Sequence, residues 1–122
     1  MLGIMIVDDD DLSADFLSEH LEMLGYRTHR AASGENALAL LGAGDRPDAI
    51  FISLSTNALS GFETARLVRE RYRYDPTIVG LSAQEDDVDI ATGIAAGIDA
   101  WLSRPINTTQ LASTLERWLN EH

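Results

Sequence analysis

The sequence predicts an α/β protein in which a five-stranded parallel β-sheet is covered by helices on both faces. Apolar runs of strand length alternate with longer amphipathic stretches along the whole chain, and the alternation occurs five times. Most strand candidates are almost continuously apolar, which is typical of parallel strands buried on both faces. The 122 residues are enough for one such domain and too few for two.

The first two strand–helix units each have a recognisable start and end. The run LGIMIV (2–7) predicts a buried strand, and apolar residues recur at helical spacing over 12–24. The expected core face of this helix consists of Leu12, Phe16, Leu17, Leu21 and Leu24. The alternating and more polar segment YRTHRA (26–31) predicts an edge strand. Ser33 is suited to cap a helix over 35–41.

The remaining three units repeat this alternation. Strands are predicted at 49–53, 77–82 and 98–103, and helices at 61–73, at 86–96 and from the capping residue Asn107 onward. The last helix is expected to place Leu111, Leu115, Trp118 and Leu119 in the core. Right-handed crossovers leave few strand orders, and the commonest is 2-1-3-4-5. We therefore expect a flavodoxin-like three-layer sandwich with five helices. Residues 1–122 are expected to form a single domain, which could be excised from a longer multidomain protein.

Composition and charge exclude several function classes. Nine arginines and no lysine face twenty acidic residues, and the resulting net charge of −11 repels nucleic acids and anionic membrane surfaces. Cysteine is absent, which excludes disulfides, thiol catalysis and thiolate metal sites. No apolar run reaches membrane-spanning length, and no signal peptide is visible. Together these features favour a cytoplasmic protein.

Polar side chains follow or end four of the predicted strands. They are Asp8 and Asp9 after strand one, Ser53 at the end of strand three, Ser82 at the end of strand four, and Arg104 before Pro105 after strand five. Singly, each is more typical of a turn, a helix cap or a surface cation. Because ligands of open parallel sheets bind beyond the carboxyl ends of the strands, their convergence on one edge predicts a site there.

The segments IMIVDDDD, RPDAIFISL, IVGLSA and GIAAGIDAWLSRPI, in this order and spacing, resemble a response-regulator receiver domain of two-component signalling. The resemblance extends to the last helix. It implies a flavodoxin-like domain that accepts a phosphoryl group from a histidine kinase on an aspartate, with Mg²⁺ bound beside it. The matching positions are Asp8 and Asp9 for the acid pair, Ser82 for the strand-four hydroxyl, Trp101 for the switch aromatic, and Arg104 and Pro105 for a lysine–proline pair whose bond is typically cis.

The sequence departs from this family pattern at the residues that would carry out phosphoryl transfer. Ser53 stands where the family has its phospho-accepting aspartate, and Arg104 stands where it has lysine. A serine hydroxyl needs an adjacent base to act as a nucleophile, and none of the three histidines is predicted at this edge. With the strand-three carboxylate missing, Asp8 and Asp9 remain as metal ligands, and we expect Mg²⁺ binding to be weak or absent and no cofactor to be required. The site is interpreted as vestigial, which makes the chain a pseudo-receiver.

Arginine at position 104 suggests a contact that lysine makes less well. A guanidinium is planar, permanently charged and suited to bind carboxylates through two hydrogen bonds. We hypothesise that Arg104 pairs directly with Asp8 or Asp9, without a metal ion, and holds the pocket in one state.

The sequence therefore predicts a signalling module that acts through phosphorylation-independent protein–protein contacts and is not an enzyme. The resemblance implies a histidine kinase or an output domain as partner. It also implies that the face built from helix four, strand five and helix five, which includes Trp101, binds this partner or a second copy in a homodimer. Trp101 could serve equally as an exposed anchor or as a packing residue. The arginine-rich stretch 66–75 reads as a solvated face or as a docking patch.

Two further functions stay open at this point. The chain could be a receiver that is still phosphorylated, at Asp8, Asp9 or Ser53, in a Mg²⁺-dependent phosphotransfer. It could also be a small-ligand sensor that uses the same crevice, although no glycine-rich phosphate loop supports this alternative.

Overall fold

A computed structural model describes residues 2–54, 60–82 and 90–120 of the chain. The strands are β1 Gly3–Val7, β2 Arg27–Ala31, β3 Ala49–Ser53, β4 Thr77–Ser82 and β5 Ala100–Ser103. The helices are α1 Asp11–Met23, α2 Gly34–Gly42, α3 Gly61–Arg71, α4 Ile90–Ala96 and α5 Thr108–Leu115, and a π-helical segment, Glu116–Asn120, follows α5. The strands form one parallel sheet in the order β2-β1-β3-β4-β5, which confirms the predicted flavodoxin-like fold and the edge position of β2.

The sheet separates two apolar clusters, and all residues of its central strand β3 are buried. Phe51 faces the cluster that α1 and α5 cover, whereas Ile50 and Ile52 face the cluster that α2, α3 and α4 cover. This alternation follows from the two-residue period of a strand. Because both faces of β3 need apolar side chains, the strand reads as a continuous apolar run.

Helix starts follow the capping chemistry of the sequence. The hydroxyl of Ser33 accepts a hydrogen bond from the Asn36 amide at 3.0 Å, as predicted for the start of α2. The side chain of Asn107 likewise accepts hydrogen bonds from the first turn of α5. Such caps satisfy backbone amides that have no partner within the helix.

The predicted core face of α1 is wrong in part. Leu17 and Leu21 are buried as expected, and Ala14 joins them. The other expected core residues are exposed: Leu12, Phe16 and Leu24. Residues 14, 17 and 21 follow helical spacing and define the narrow stripe that meets the sheet, and the additional leucines and Phe16 lie beside this stripe.

Several element ends also differ from the predictions. Helix α3 ends at Arg71 because the next residue has an extended backbone, and β5 begins at Ala100 because Ile98 still closes the turn after α4. Trp118 is half-buried and not in the core; it lies in the π-helical segment that follows α5, where the wider turn no longer keeps the spacing of an α-helix. Residues 86–89 of the predicted fourth helix lie outside the described residues. None of the described helices is long and apolar enough to cross a membrane.

Candidate functional site

Three polar side chains are buried where β1, β3 and β4 end. Asp8 follows β1, and Ser53 and Ser82 are the last residues of their strands; the three are 2%, 3% and 4% exposed. The structure therefore brings these predicted site residues to one edge of the sheet. Asp9, the second member of the predicted acid pair, is exposed.

Both carboxylate oxygens of Asp8 accept hydrogen bonds. Oδ1 accepts one from the Asp10 amide at 3.0 Å, and Oδ2 accepts one from Nη2 of Arg104 at 2.8 Å. The Asp8 amide donates to the carbonyl of Ala31 on β2, which fixes the backbone at this point. A buried carboxylate without such partners would be strongly unfavourable, so these donors account for the presence of a charge at this depth.

Besides its bond to Asp8, Arg104 makes two further hydrogen bonds. Its Nε donates to the hydroxyl of Ser13 on α1 at 3.2 Å, and its backbone amide donates to the carbonyl of Ser82 at 2.8 Å. The bond between Arg104 and Pro105 is cis, as the resemblance implied. Of the two acids considered as partners for Arg104, the structure pairs it with Asp8.

A second arginine, which the sequence did not single out, binds the same turn. Nε and Nη2 of Arg30 donate to the backbone carbonyl of Asp8 at 3.3 and 3.0 Å, and its Nη1 pairs with the carboxylate of Asp11. Arg30 lies opposite Ile6 in the β1–β2 register, one residue before the end of the edge strand. Its position near the carboxyl end of β2 could have indicated that it reaches the site. The alternating pattern of β2 instead suggested a solvent-facing residue of an edge strand.

The backbone of Ser53 is closely approached by the start of α3. A Cβ atom on Gly61 would lie 2.6 Å from the Ser53 carbonyl oxygen and 2.8 Å from Cα of Leu54. A glycine is therefore required at position 61, because real Cβ atoms do not come so close to backbone atoms. The start of α3 thus lies directly against the backbone at the end of β3.

Comparison with known proteins shows the family of this chain. The sequence pattern of the response regulator receiver domain matches residues 4–116. The chain belongs to this family. It is 35% identical over 118 residues to the transcriptional regulatory protein YvrH of Bacillus subtilis, a match that covers 96% of this chain and 48% of that protein. The receiver domain thus spans about half the length of such a curated relative.

Solved structures agree with this assignment. The Vibrio cholerae chemotaxis protein CheY4 superposes with a TM-score of 0.89 at 31% identity, covering 98% of this chain and 99% of that one. The receiver domain of the sensor histidine kinase PA1611 from Pseudomonas aeruginosa, solved with a magnesium ion in its active site cleft, superposes with a TM-score of 0.86 at 26% identity, covering 98% of both chains. The present chain is therefore a receiver domain of a two-component system.

Trp101, at the position that the resemblance matches to a switch aromatic, packs inward. Trp101 is partly buried against the α2, α3 and α4 side of the sheet, with Gly80 of β4 and Gly93 of α4 beside its indole. Of the two roles considered for Trp101, the structure shows packing between the fourth and fifth units. Pro105 is exposed at the crevice end of β5.

The described residues of this receiver domain fit a divalent cation poorly. Magnesium is bound in proteins through one or two carboxylates together with water and substrate oxygens. Here the buried Asp8 is occupied by Arg104, and Ser53 offers only a neutral hydroxyl. Within residues 2–54, 60–82 and 90–120, no three His, Cys, Asp or Glu side chains are grouped so that they could hold a metal ion.

Proposed function

We propose that this receiver domain is a pseudo-receiver, which signals through protein–protein contacts without being phosphorylated. The observation that supports this most directly is the ion pair between Arg104 and the buried Asp8, at an edge where Ser53 replaces the phospho-accepting aspartate. The anionic nucleophile is thus missing, and the remaining buried carboxylate already has a cationic partner.

Serine chemistry does not replace the lost aspartate. A hydroxyl becomes nucleophilic when a base accepts its proton, and histidine is the usual base. The two histidines within the described residues have other partners: His20 contacts the carbonyl of Phe16 on α1, and His29 lies 3.3 Å from Asp45. Ser53 is therefore proposed as a small polar filler of a former active site.

A metal-independent pocket is the second part of the proposal. Arg104 supplies at Asp8 the positive charge that a magnesium ion would otherwise bring, so we expect Mg²⁺ to bind weakly or not at all. Arginine suits this role because its charge is permanent and its planar fork matches a carboxylate.

The proposed partners are proteins. The curated relative YvrH is named a transcriptional regulatory protein and is about twice as long, and similar solved receiver domains belong to histidine kinases. We propose that the chain is a receiver-like domain within a longer protein, which contacts a histidine kinase or an output domain through α4, β5 and α5, or a second copy through the same face. With a net charge of −11, the domain itself is not expected to bind nucleic acid.

Mass measurement after phosphodonor treatment tests the proposal. The purified chain is incubated with a small phosphodonor and Mg²⁺, and its intact mass is expected to stay unchanged. The matched variant S53D/R104K, which restores both family residues, shows whether the donor is active on this scaffold. A stoichiometric, acid- or base-labile adduct on the unsubstituted chain would overturn the proposal and support phosphotransfer at Asp8, Asp9 or Ser53. A metabolite copurifying with the native chain would support the ligand sensor instead.

A further inference from the structure

We propose that helix α4 is held in one position by two contacts that do not involve the crevice. One is the insertion of Trp101 into a slot between two glycines, and the other is a clamp by Arg69 on the turn after the helix. This inference rests on the proposed function and deepens it, because it explains how a partner-binding face that includes α4 and β5 could be preset without phosphorylation.

The glycine slot is shaped for the indole. A Cβ atom on Gly93 would lie 2.3 Å from Cζ2 of Trp101, and one on Gly80 would lie 3.4 Å from Cδ1. The first distance is shorter than any real Cβ contact, so the indole occupies this place only because position 93 carries no side chain. Glycine is among the least favoured residues inside a helix, and its presence in the middle of α4 therefore points to this packing requirement.

Packing, with no directed polar contact from the described residues, holds the indole in this slot. The Nε1 atom of Trp101 is buried and has no hydrogen-bond partner among the described residues. A buried tryptophan N–H usually has a partner, so among the described residues the inward position lacks this usual polar contact and depends on packing. The fit between the ring, Gly80 and Gly93 consequently decides where the side chain lies.

Arg69 fixes the other end of the helix. This residue belongs to the arginine-rich stretch of α3, but its guanidinium points inward: Nε and Nη2 donate to the carbonyl of Gly97 at 3.1 and 2.8 Å. Nη2 also pairs with Asp99 at 2.9 Å, and Nη1 donates to the carbonyl of Pro76 and to Asp75, both at 2.8 Å. One side chain thus joins α3, the start of β4 and the turn between α4 and β5.

The turn between α4 and β5 leaves space for the Arg69 side chain. Gly97 has a φ of 93°, and a Cβ atom there would lie 2.6 Å from Cγ of Arg69. Position 97 therefore excludes other residues for two independent reasons, its left-handed backbone and the close approach of Arg69. The carboxylate of Asp99 also accepts a hydrogen bond from the Ile78 amide at 2.9 Å, which ties the clamp to the sheet.

These two contacts leave α4 little freedom in its described part. The slot acts in the middle of the helix and the clamp acts at its carboxyl end. Within the described residues, the side-chain hydrogen bonds and ion pairs of Arg69 and Asp99 do not reach Asp8, Ser53 or Arg104. A change in the charge of the crevice therefore has no described hydrogen bond or ion pair through which to release the clamp. A partner of this face would meet a surface arranged in advance, with Ile94 exposed upon it.

Tryptophan fluorescence tests the slot. In a W118F background Trp101 is the sole tryptophan, and we expect blue-shifted emission with little quenching by acrylamide. G93A should displace the ring, shift its emission to the red and increase quenching. G42A is the matched control, since a Cβ on this residue of α2 meets nothing closer than the Tyr72 hydroxyl at 3.6 Å. Solvent-exposed emission before substitution, or equal spectra for G93A and G42A, would overturn the proposal.

A coupling measurement keeps the slot testable if G93A folds poorly. The smaller ring of W101F leaves room for a methyl group at position 93, so G93A should lower the urea midpoint less in the W101F background than in the unsubstituted chain. Circular dichroism reports this midpoint in all four proteins. Equal losses in the two backgrounds would show that the indole and Gly93 are independent, which would contradict the slot.

Hydrogen exchange tests the clamp. R69A should accelerate amide exchange across residues 90–98 relative to the amides of β1, which serve as an internal reference for global opening. R66A is the matched control, because Arg66 lies on the same helix and pairs with Glu63 and Glu70 on its surface. Unchanged exchange of α4 in R69A would overturn the clamp. A phosphoryl adduct would defeat the proposed function without affecting these readouts, so the two failures are distinguishable.

Discussion

Nη2 of Arg104 lies 2.8 Å from Oδ2 of Asp8, and this contact spans the carboxyl edge of the sheet. β1 and β5 are separated in the sheet by β3 and β4, a distance of about 14 Å at the usual strand spacing. The Asp8 side chain is 2% exposed and that of Arg104 is 26% exposed. The pair therefore links the ends of β1 and β5 through a buried carboxylate and a partly exposed guanidinium.

Removal of Arg104 should destabilise the domain. In R104A the buried carboxylate of Asp8 keeps the Asp10 amide but loses its cation. Breaking a buried pair costs about 3–5 kcal/mol, and the partial exposure of Arg104 lowers the expected loss to about 2 kcal/mol. Urea unfolding measures this loss. D9N is the control and should change stability by less than about 0.5 kcal/mol, because Asp9 is exposed. Equal effects of R104A and D9N would mean that the pair contributes nothing.

Ser13 should act by orienting Arg104. Its hydroxyl accepts the Nε hydrogen bond at 3.2 Å, and S13A removes a hydrogen bond worth about 1 kcal/mol. The decisive measurement is a double-mutant cycle with R104A, in which the cost of S13A should largely disappear once the guanidinium is gone. If S13A costs the same in both backgrounds, Ser13 stabilises α1 for another reason.

The fold was predictable because its signals are local and repeated. The four apolar strands, the alternating edge strand and the caps at Ser33 and Asn107 each follow from short segments, and chirality restricts how five such units connect. The face of α1 was harder to predict. The helix carries more large apolar residues than the sheet can cover, and periodicity alone does not tell which side of a broad apolar surface is buried.

Two leucines of α1 should therefore respond very differently to truncation. Leu17 is 2% exposed and Leu12 is 81% exposed. We expect L17A to cost about 2–5 kcal/mol through lost burial and cavity formation, and L12A to cost less than about 0.5 kcal/mol. Urea unfolding of the two variants makes the comparison on the same helix with the same substitution. Similar losses would contradict the burial of α1 described above.

The candidate site was predictable only in part. The strand ends placed Asp8, Ser53 and Ser82 together, because parallel strands share one carboxyl edge. Arg30 and Ser13 were missed since their roles depend on side-chain reach between elements, which no local pattern records. The choice of Asp8 over Asp9 as the partner of Arg104 likewise depends on which side chain turns inward.

Restoring the aspartate should make the stability depend on a divalent cation. S53D would place a second carboxylate on the strand next to that of Asp8, where like charges repel and Arg104 alone balances them. We expect S53D to be less stable than the unsubstituted chain and to recover partly with Mg²⁺, whereas the unsubstituted chain and the neutral variant S53N should not respond. Thermal unfolding with and without MgCl₂ measures this. Clear stabilisation of the unsubstituted chain by Mg²⁺ would contradict a metal-independent pocket.

Alkaline pH should weaken the fold through Tyr74. Burial raises the pKa of Tyr74 from its ordinary value of 10 to about 12, although the Arg46 guanidinium, 5.2 Å from the ring centroid, acts in the opposite direction. Between these values the unfolded chain loses the phenolic proton and the folded chain retains it. The unfolded state therefore binds fewer protons, and the free energy of unfolding falls as pH rises from about 10 to about 12.

The absence of lysine makes this measurement unusually direct, because no ammonium side chain titrates in the same range. Urea unfolding as a function of pH should show the decrease in the unsubstituted chain, and Y74F should remove the part of it that Tyr74 causes. Y72F is the matched control. The Tyr72 hydroxyl donates to the Leu38 carbonyl at 3.2 Å, and removing it should leave the Tyr74 contribution in place. If Y74F and the unsubstituted chain lose stability in parallel above pH 10, the Tyr74 phenol is not protected by the fold.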